Sequence, residues 1–187
     1  MGAFDGDFPE LVTSRLVLRA PRLSDHVAMH AILMQPEVTR TSNLPDQPTK
    51  AQTQRAVKWM CEVFAKQKGC AWIIEERASG SVIGAIRFNW IAVPSKSGEV
   101  GYELTPSAWG KGLMTEAARA VTECGFALFK LNRIEAWTLN GNTASDRVLE
   151  KTGFRYEGTL RQKAYFKNAF HDLRMFSLLA ADVLSSL

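Results

Sequence analysis

Hydrophobic positions along the chain follow two periods, and the switches between them mark its elements. Residues 15–19, Arg-Leu-Val-Leu-Arg, read as a short strand stopped at Pro21. Ser24 is an N-cap residue type for a helix with Val27, Ala28 and Ile32 on its apolar side, and Pro36 ends it. Residues 39–48 hold Thr, Ser, Asn, Asp and two prolines and read as a loop. Thr49 caps a second helix, striped by Val57, Met60, Cys61 and Phe64 and stopped at Gly69. Residues 71–75 and 82–88, joined by Ala-Ser-Gly-Ser, predict a β-hairpin. Residues 99–104 predict another strand, broken at Pro106. A long helix follows Gly112, with Leu113, Ala117, Ala120, Val121, Cys124 and Leu128 on one face. Then come a strand (133–138), a helix (142–151) capped by Gly153, and two closing strands (154–160 and 171–178) separated by Lys167-Asn168.

This order predicts an α/β protein built around one twisted sheet. Residues 1–13 read as a flexible leader and 14–187 as a single domain. A chain of 187 residues encloses one core and hardly two. Charge adds little: 23 Lys+Arg against 19 Asp+Glu, with no basic run and no basic-aromatic tract, argues against nucleic acid as a direct partner. Cys61, Cys70 and Cys124 are widely spaced and odd in number, so neither a disulfide framework nor a metal site is expected. His26, His30 and His171 form no metal motif. The acidic start, Met1 to Asp7, lacks the basic and apolar regions of a secretory signal, and no apolar run is long enough to span a membrane. A cytoplasmic protein without a membrane partner is expected.

The most informative junction is Leu104-Thr105-Pro106-Ser107-Ala108-Trp109-Gly110-Lys111-Gly112-Leu113-Met114-Thr115. A strand ends, glycines follow and a long helix begins. First-turn amides have no intrahelical partner, and the positive end of the helix dipole lies there. Glycines let a ligand approach the backbone, so the junction suits an anion such as a phosphate. It is neither a P-loop nor a dinucleotide fingerprint.

With these residues in view the chain resembles the GNAT superfamily of N-acetyltransferases, and within it the RimJ/RimL-like ribosomal-protein N-terminal acetyltransferases. Residues 15–19 with Asp25 resemble the opening strand and helix of that family, residues 99–104 its central strand, and 109–117 its pyrophosphate loop. Residues 142–145 with 151–154 resemble its late helix and turn, and 168–172 its closing hairpin. The resemblance covers roughly residues 14–180 in order. It implies a single mixed, mostly antiparallel twisted sheet flanked by helices. It also implies acetyl-CoA as co-substrate, no metal, and direct transfer to an amine in a ternary complex.

By the same resemblance, the loop Trp109, Gly110, Lys111, Gly112, Leu113, Met114 and Thr115 would hold the pyrophosphate. The pantetheine arm would run along the strand ending at Leu104, where a backbone N–H would polarise the acetyl carbonyl. Asn142 would bond the arm, and Ser145 would sit at the cofactor and act as acid. Two departures stand out. Leu149 occupies the place of a common proton-donating Tyr, and Ala164 that of a Glu proposed as base. Glu99 and Glu103, four apart on one strand and so on one face, are the leading candidates for a base.

An α-amine titrates at about 7.7–8.0 against about 10.4 for a lysine side chain, so it needs less help from a base. The expected acceptor is therefore an amine, most simply a ribosomal-protein N-terminus. A small-molecule amine and a non-catalytic acetyl-CoA sensor are the alternatives. The resemblance implies a monomer or a homodimer and does not choose between them.

Overall fold

The computed structural model describes residues 6–184. Eight strands form one sheet in the order β1-β2-β3-β4-β5-β6-β8-β7. They are β1 (Leu11–Val12), β2 (Leu16–Arg19), β3 (Cys70–Glu76), β4 (Ser81–Ala92), β5 (Ser97–Leu104), β6 (Arg133–Leu139), β7 (Arg155–Phe166) and β8 (Ala169–Leu179). Among the described residues only β5 and β6 pair in parallel, and every other neighbour is antiparallel. The helices are α1 (His26–Leu33), α2 (Pro36–Thr39), α3 (Lys50–Val63), α4 (Leu113–Ala127), α5 (Thr143–Thr152) and α6 (Ala180–Leu184). The mixed, mostly antiparallel sheet flanked by helices is as expected.

Two layers of apolar contacts hold the helices to the sheet. On one face Leu16, Leu18, Trp72, Ile86, Phe88 and Val100 pack with Leu113, Ala117 and Val121 of α4 and Leu149 of α5. On the other, Ala71, Ile73 and Ala85 pack with Met29 and Ile32 of α1 and Val57, Met60 and Val63 of α3. Strand alternation delivers one residue to each layer in turn. Arg19 is buried between Asp25, which it grips with both terminal nitrogens at 2.8 and 2.9 Å, and Glu75 at 2.6 Å. Burial pushes the Asp25 carboxyl upward, and its bonds from Arg19 and the Arg22 amide more than reverse this. The pairs fix where α1 leaves the sheet.

Three local readings need correction. Pro36 starts a helix, α2, as its first residue, because a first-turn position has no N–H to lose. Part of the expected leader is tied to the sheet: Leu11 and Val12 pair with Leu18 and Val17, and the Trp72 indole donates to the Pro9 carbonyl at 2.7 Å. Residues 1–5 of that leader lie outside the described residues. The last hairpin is longer than expected, turning at Lys167 and Asn168 with φ of 51° and 58°. Two consecutive left-handed residues are the type I′ geometry that matches strand twist. No helix among the described residues is long and apolar enough to cross a membrane.

Candidate active site

The parallel pairing of β5 and β6 covers only Ser97–Arg133, Gly98–Ile134 and Glu99–Glu135. Beyond Glu99 the strands part and run on separately to Leu104 and Leu139, leaving a wedge in the middle of the sheet. Backbone N–H and C=O groups along the wedge lack a ladder partner and can bond an extended, amide-bearing ligand. Tyr102 reaches from β5 toward α5, its hydroxyl donating to the Ser145 carbonyl at 3.4 Å. Burial raises the Tyr102 phenol well above its ordinary range, so it stays neutral.

At the end of β5 a single turn, Pro106–Ala108, leads to Trp109 and then to Gly110 and Gly112, both at φ 74°. Gly112 is the N-cap of α4 and offers no side chain to the first turn. The orphan amides of Leu113, Met114 and Thr115 therefore remain available to an anion. The side chains of Leu113 and Met114 are buried and anchor the turn, while Lys111 is exposed beside it. Trp109 donates its indole N–H to the Leu104 carbonyl at 2.8 Å, tying the loop to the strand end. It thus serves as a donor to the protein's own backbone.

Glu116 lies in the same turn and would oppose an anion if left unpaired. It accepts from Thr13 Oγ1 at 2.6 Å, Ser14 Oγ at 3.0 Å and the Arg15 amide at 2.9 Å, and it pairs with the Arg15 guanidinium. Burial alone would raise this carboxyl, yet the bonds from Thr13, Arg15 and Ser14 hold it down at about 2. Arg15 also donates to the Lys111 carbonyl at 2.8 Å, so one side chain braces both loop and helix.

On the α1–α3 face Glu99 and Glu103 do share a side of β5, in unlike settings. Arg87 donates to Glu103 at 2.6 Å and to Asn89 Oδ1 at 3.0 Å, and Asn89 Nδ2 donates to Glu99 at 2.8 Å. Glu103 is buried and committed to Arg87. Glu99 sits at the apex of the wedge, partly exposed, with one amide donor on it and capacity to spare. Gly101 makes room for this row, since a Cβ there would lie 2.9 Å from Asn89 Nδ2. Over Arg87 and Glu103 opens a pocket walled by Met29, Leu33, Leu44, Val57, Trp59 and Met60.

Asn142 is the N-cap of α5. Its Oδ1 accepts from the Ser145 amide at 3.2 Å and its Nδ2 donates to the Thr41 carbonyl at 3.3 Å. Leu149, two turns on, is a core residue. Ala164 faces His171 on the far hairpin, three strands from Glu99. His26 and His30 bond to the Leu23 carbonyl and to Thr53. Among the described residues no three His, Cys, Asp or Glu side chains converge as a metal site.

Comparison with known proteins settles the family. Residues 15–155 match the acetyltransferase (GNAT) domain model. The chain belongs to the GNAT acetyltransferase family. This acetyltransferase is 34% identical over 172 residues to the uncharacterized N-acetyltransferase YoaA of Bacillus subtilis, covering 92% of this chain and 97% of that one. It is 29% identical over 115 residues to the ribosomal-protein-serine acetyltransferase of Escherichia coli, covering 62% and 64% of the two chains. Its fold superimposes on RimL, a ribosomal L7/L12 α-N-protein acetyltransferase in complex with coenzyme A, with a TM-score of 0.81 at 22% identity over 90% of this chain and 96% of that one. The acetyltransferase is thus an acyl-CoA-dependent N-acetyltransferase.

Sequence reading missed Arg87, Asn89, Tyr102 and the Arg15–Glu116 pair. Arg87 and Asn89 carried a usable signal: they interrupt an apolar strand at alternate positions, opposite the strand that bears Glu99 and Glu103. The Arg15–Glu116 pair spans 101 residues and left no local trace.

Proposed function

We propose that this acetyltransferase moves the acetyl group of acetyl-CoA directly onto the α-amine of a protein N-terminus. The observation that carries the reading is the continuous track formed by the wedge, the loop of Gly110 and Gly112, and the uncapped start of α4. Residues 109–115 fit a pyrophosphate through backbone amides, with Lys111 adding charge. The open edge of β5 up to Leu104 fits the pantetheine arm, and when bound the group supplies the activated acetyl thioester. Asn142 would have to exchange its bond to Thr41 for one to the arm.

Glu99 takes the amine proton directly or through water, because it is the carboxylate at the apex with unused accepting capacity. Glu103 keeps Arg87 in place and contributes to the shape of the groove. Ser145, in the first turn of α5 with its carbonyl accepting from the Tyr102 hydroxyl, is the residue we assign to protonate the departing thiolate. Thioester cleavage and amide formation then leave coenzyme A as the free thiol. Holding both reactants in one groove supplies much of the acceleration.

The apolar pocket over Arg87 and Glu103 fits an uncharged substituent next to the amine better than a polycation. A second reading, a small uncharged amine as acceptor, draws on the same pocket. Free-thiol release from acetyl-CoA with Ser- and Ala-starting peptides and with small amines tests both. Peptide turnover that falls in Glu99→Gln and Ser145→Ala supports the first. Turnover confined to small amines replaces it with the second, and binding of acetyl-CoA without any turnover supports a sensor.

A further inference from the structure

Three segments far apart in sequence meet at the open end of the wedge. Lys167, at the tip of the β7–β8 hairpin, donates Nζ to the Thr39 carbonyl at 2.7 Å and pairs with Asp46 at 2.6 Å. Asn142, just past β6, donates to the Thr41 carbonyl. Thr39 Oγ1, at the end of α2, donates to the Asp46 carbonyl at 3.2 Å, so Lys167 grips two points that are themselves joined.

The sheet order gives these ties a direction. The hairpin and Asn142 belong to the β6-β8-β7 side of the wedge. The loop of residues 40–49 stands on the other side, where Leu44 lines the pocket over Arg87 and Glu103. Both ties therefore join the two sides of the wedge, and both end on the segment whose Leu44 lines the pocket on the face that carries Glu103. With Asn142 turned to the pantetheine arm, the Lys167 tie is the one an acceptor amine passes on its way to the wedge. The Lys167–Asp46 pair is built to open: Asp46 is 72% exposed, so solvent and salt weaken the attraction.

We propose that Lys167 is a specificity-determining latch, fastening the hairpin to loop 40–49 across the acceptor side of the wedge, so that short amines enter with it closed and a polypeptide amine enters only when it releases. The inference rests on the wedge being the acceptor groove, as in the reading above, and adds a limit on acceptor length. The latch acts on acceptor entry and leaves the acetyl-CoA loop untouched.

The test is Lys167→Asn. Asparagine tolerates the left-handed conformation at φ 51° and so keeps the turn, while its short side chain cannot reach Thr39 or Asp46. Two readouts are needed. Trypsin cleavage after the exposed Arg40 reports the loop directly, and kcat/KM over a series from serinamide to a Ser-starting dodecapeptide reports the gate. The expected result is faster cleavage after Arg40 and a variant-to-wild-type ratio that grows with acceptor length. That ratio should reach roughly fivefold or more for the dodecapeptide and stay within about twofold for serinamide, with the KM for acetyl-CoA unchanged, each fold-change being a population shift in the latch. Lys167→Arg should restore both readouts. Cleavage unchanged, or a ratio independent of length while the dodecapeptide is still acetylated, overturns the latch and leaves the α-amine reading standing. α-Amines inert with both proteins while other amines are acetylated overturns that reading; the latch then stands only if the ratio grows with the size of those amines.

Discussion

Glu116 and Arg15 are joined by an ion pair and two hydrogen bonds, one of them from the Arg15 main chain, across 101 residues of sequence. The pair closes the first turn of α4 onto the start of β2 and neutralises a negative charge beside the turn that we propose holds the pyrophosphate. Replacing Glu116 with Gln should cost roughly 1.5–3 kcal/mol, the range for hydrogen bonds to a charged group. Thermal unfolding would show this as a drop of a few degrees, together with a higher KM for acetyl-CoA.

The same carboxyl sets a pH dependence. It is held at about 2 against an ordinary value of 4.5, so its contribution is complete above 4.5 and disappears as pH falls toward 2. Denaturation of the wild type followed between pH 5 and 2 should show a loss that Glu116→Gln lacks in that window. Parallel curves for the two proteins would mean that Glu116 is not held low.

Gly112→Ala isolates the backbone requirement of the loop. A Cβ there meets nothing closer than Arg15 Nη2 at 3.7 Å, so there is no clash to relieve. The cost comes from φ at 74°, about 1–2 kcal/mol for a residue with a Cβ. Acetyl-CoA titration should weaken severalfold while kcat at saturation changes little. A fall in kcat with unchanged affinity would place the loop elsewhere in the reaction.

Glu99 and Glu103 should separate when each is changed to Gln. Glu103→Gln strips Arg87 of its buried partner and should destabilise by roughly 1–3 kcal/mol. Glu99→Gln should leave the melting temperature within about a degree and lower kcat by roughly 100-fold or more, the lower end of the range for general base catalysis. The converse pattern would exchange their roles.

Much of this was legible in the sequence because it is local. The strand, glycine and helix order at residues 104–115, the Thr49 and Gly153 caps and the strand break at Lys167-Asn168 all follow from residue type and spacing. The leader was misread because Leu11 and Val12 look like any two apolar residues until β2 supplies an edge for them. Pro36 was read only as a stop; α1 does end before it, at Leu33, and the same missing N–H also lets it start α2. The unlike fates of Glu99 and Glu103 depend on Arg87 and Asn89 one strand away, which alternation along β5 cannot reveal.

The central claim, transfer to an α-amine at the wedge, is tested most directly by mass spectrometric location of the acetyl group on a Ser-starting peptide that also carries one internal lysine, incubated with the acetyltransferase and acetyl-CoA from pH 6 to 10. The expected result is acetyl on the N-terminus alone, with kcat/KM rising until the amine is neutral near pH 8 and then levelling. Acetyl on the lysine with a free N-terminus, or a rate still rising toward pH 10, would contradict it.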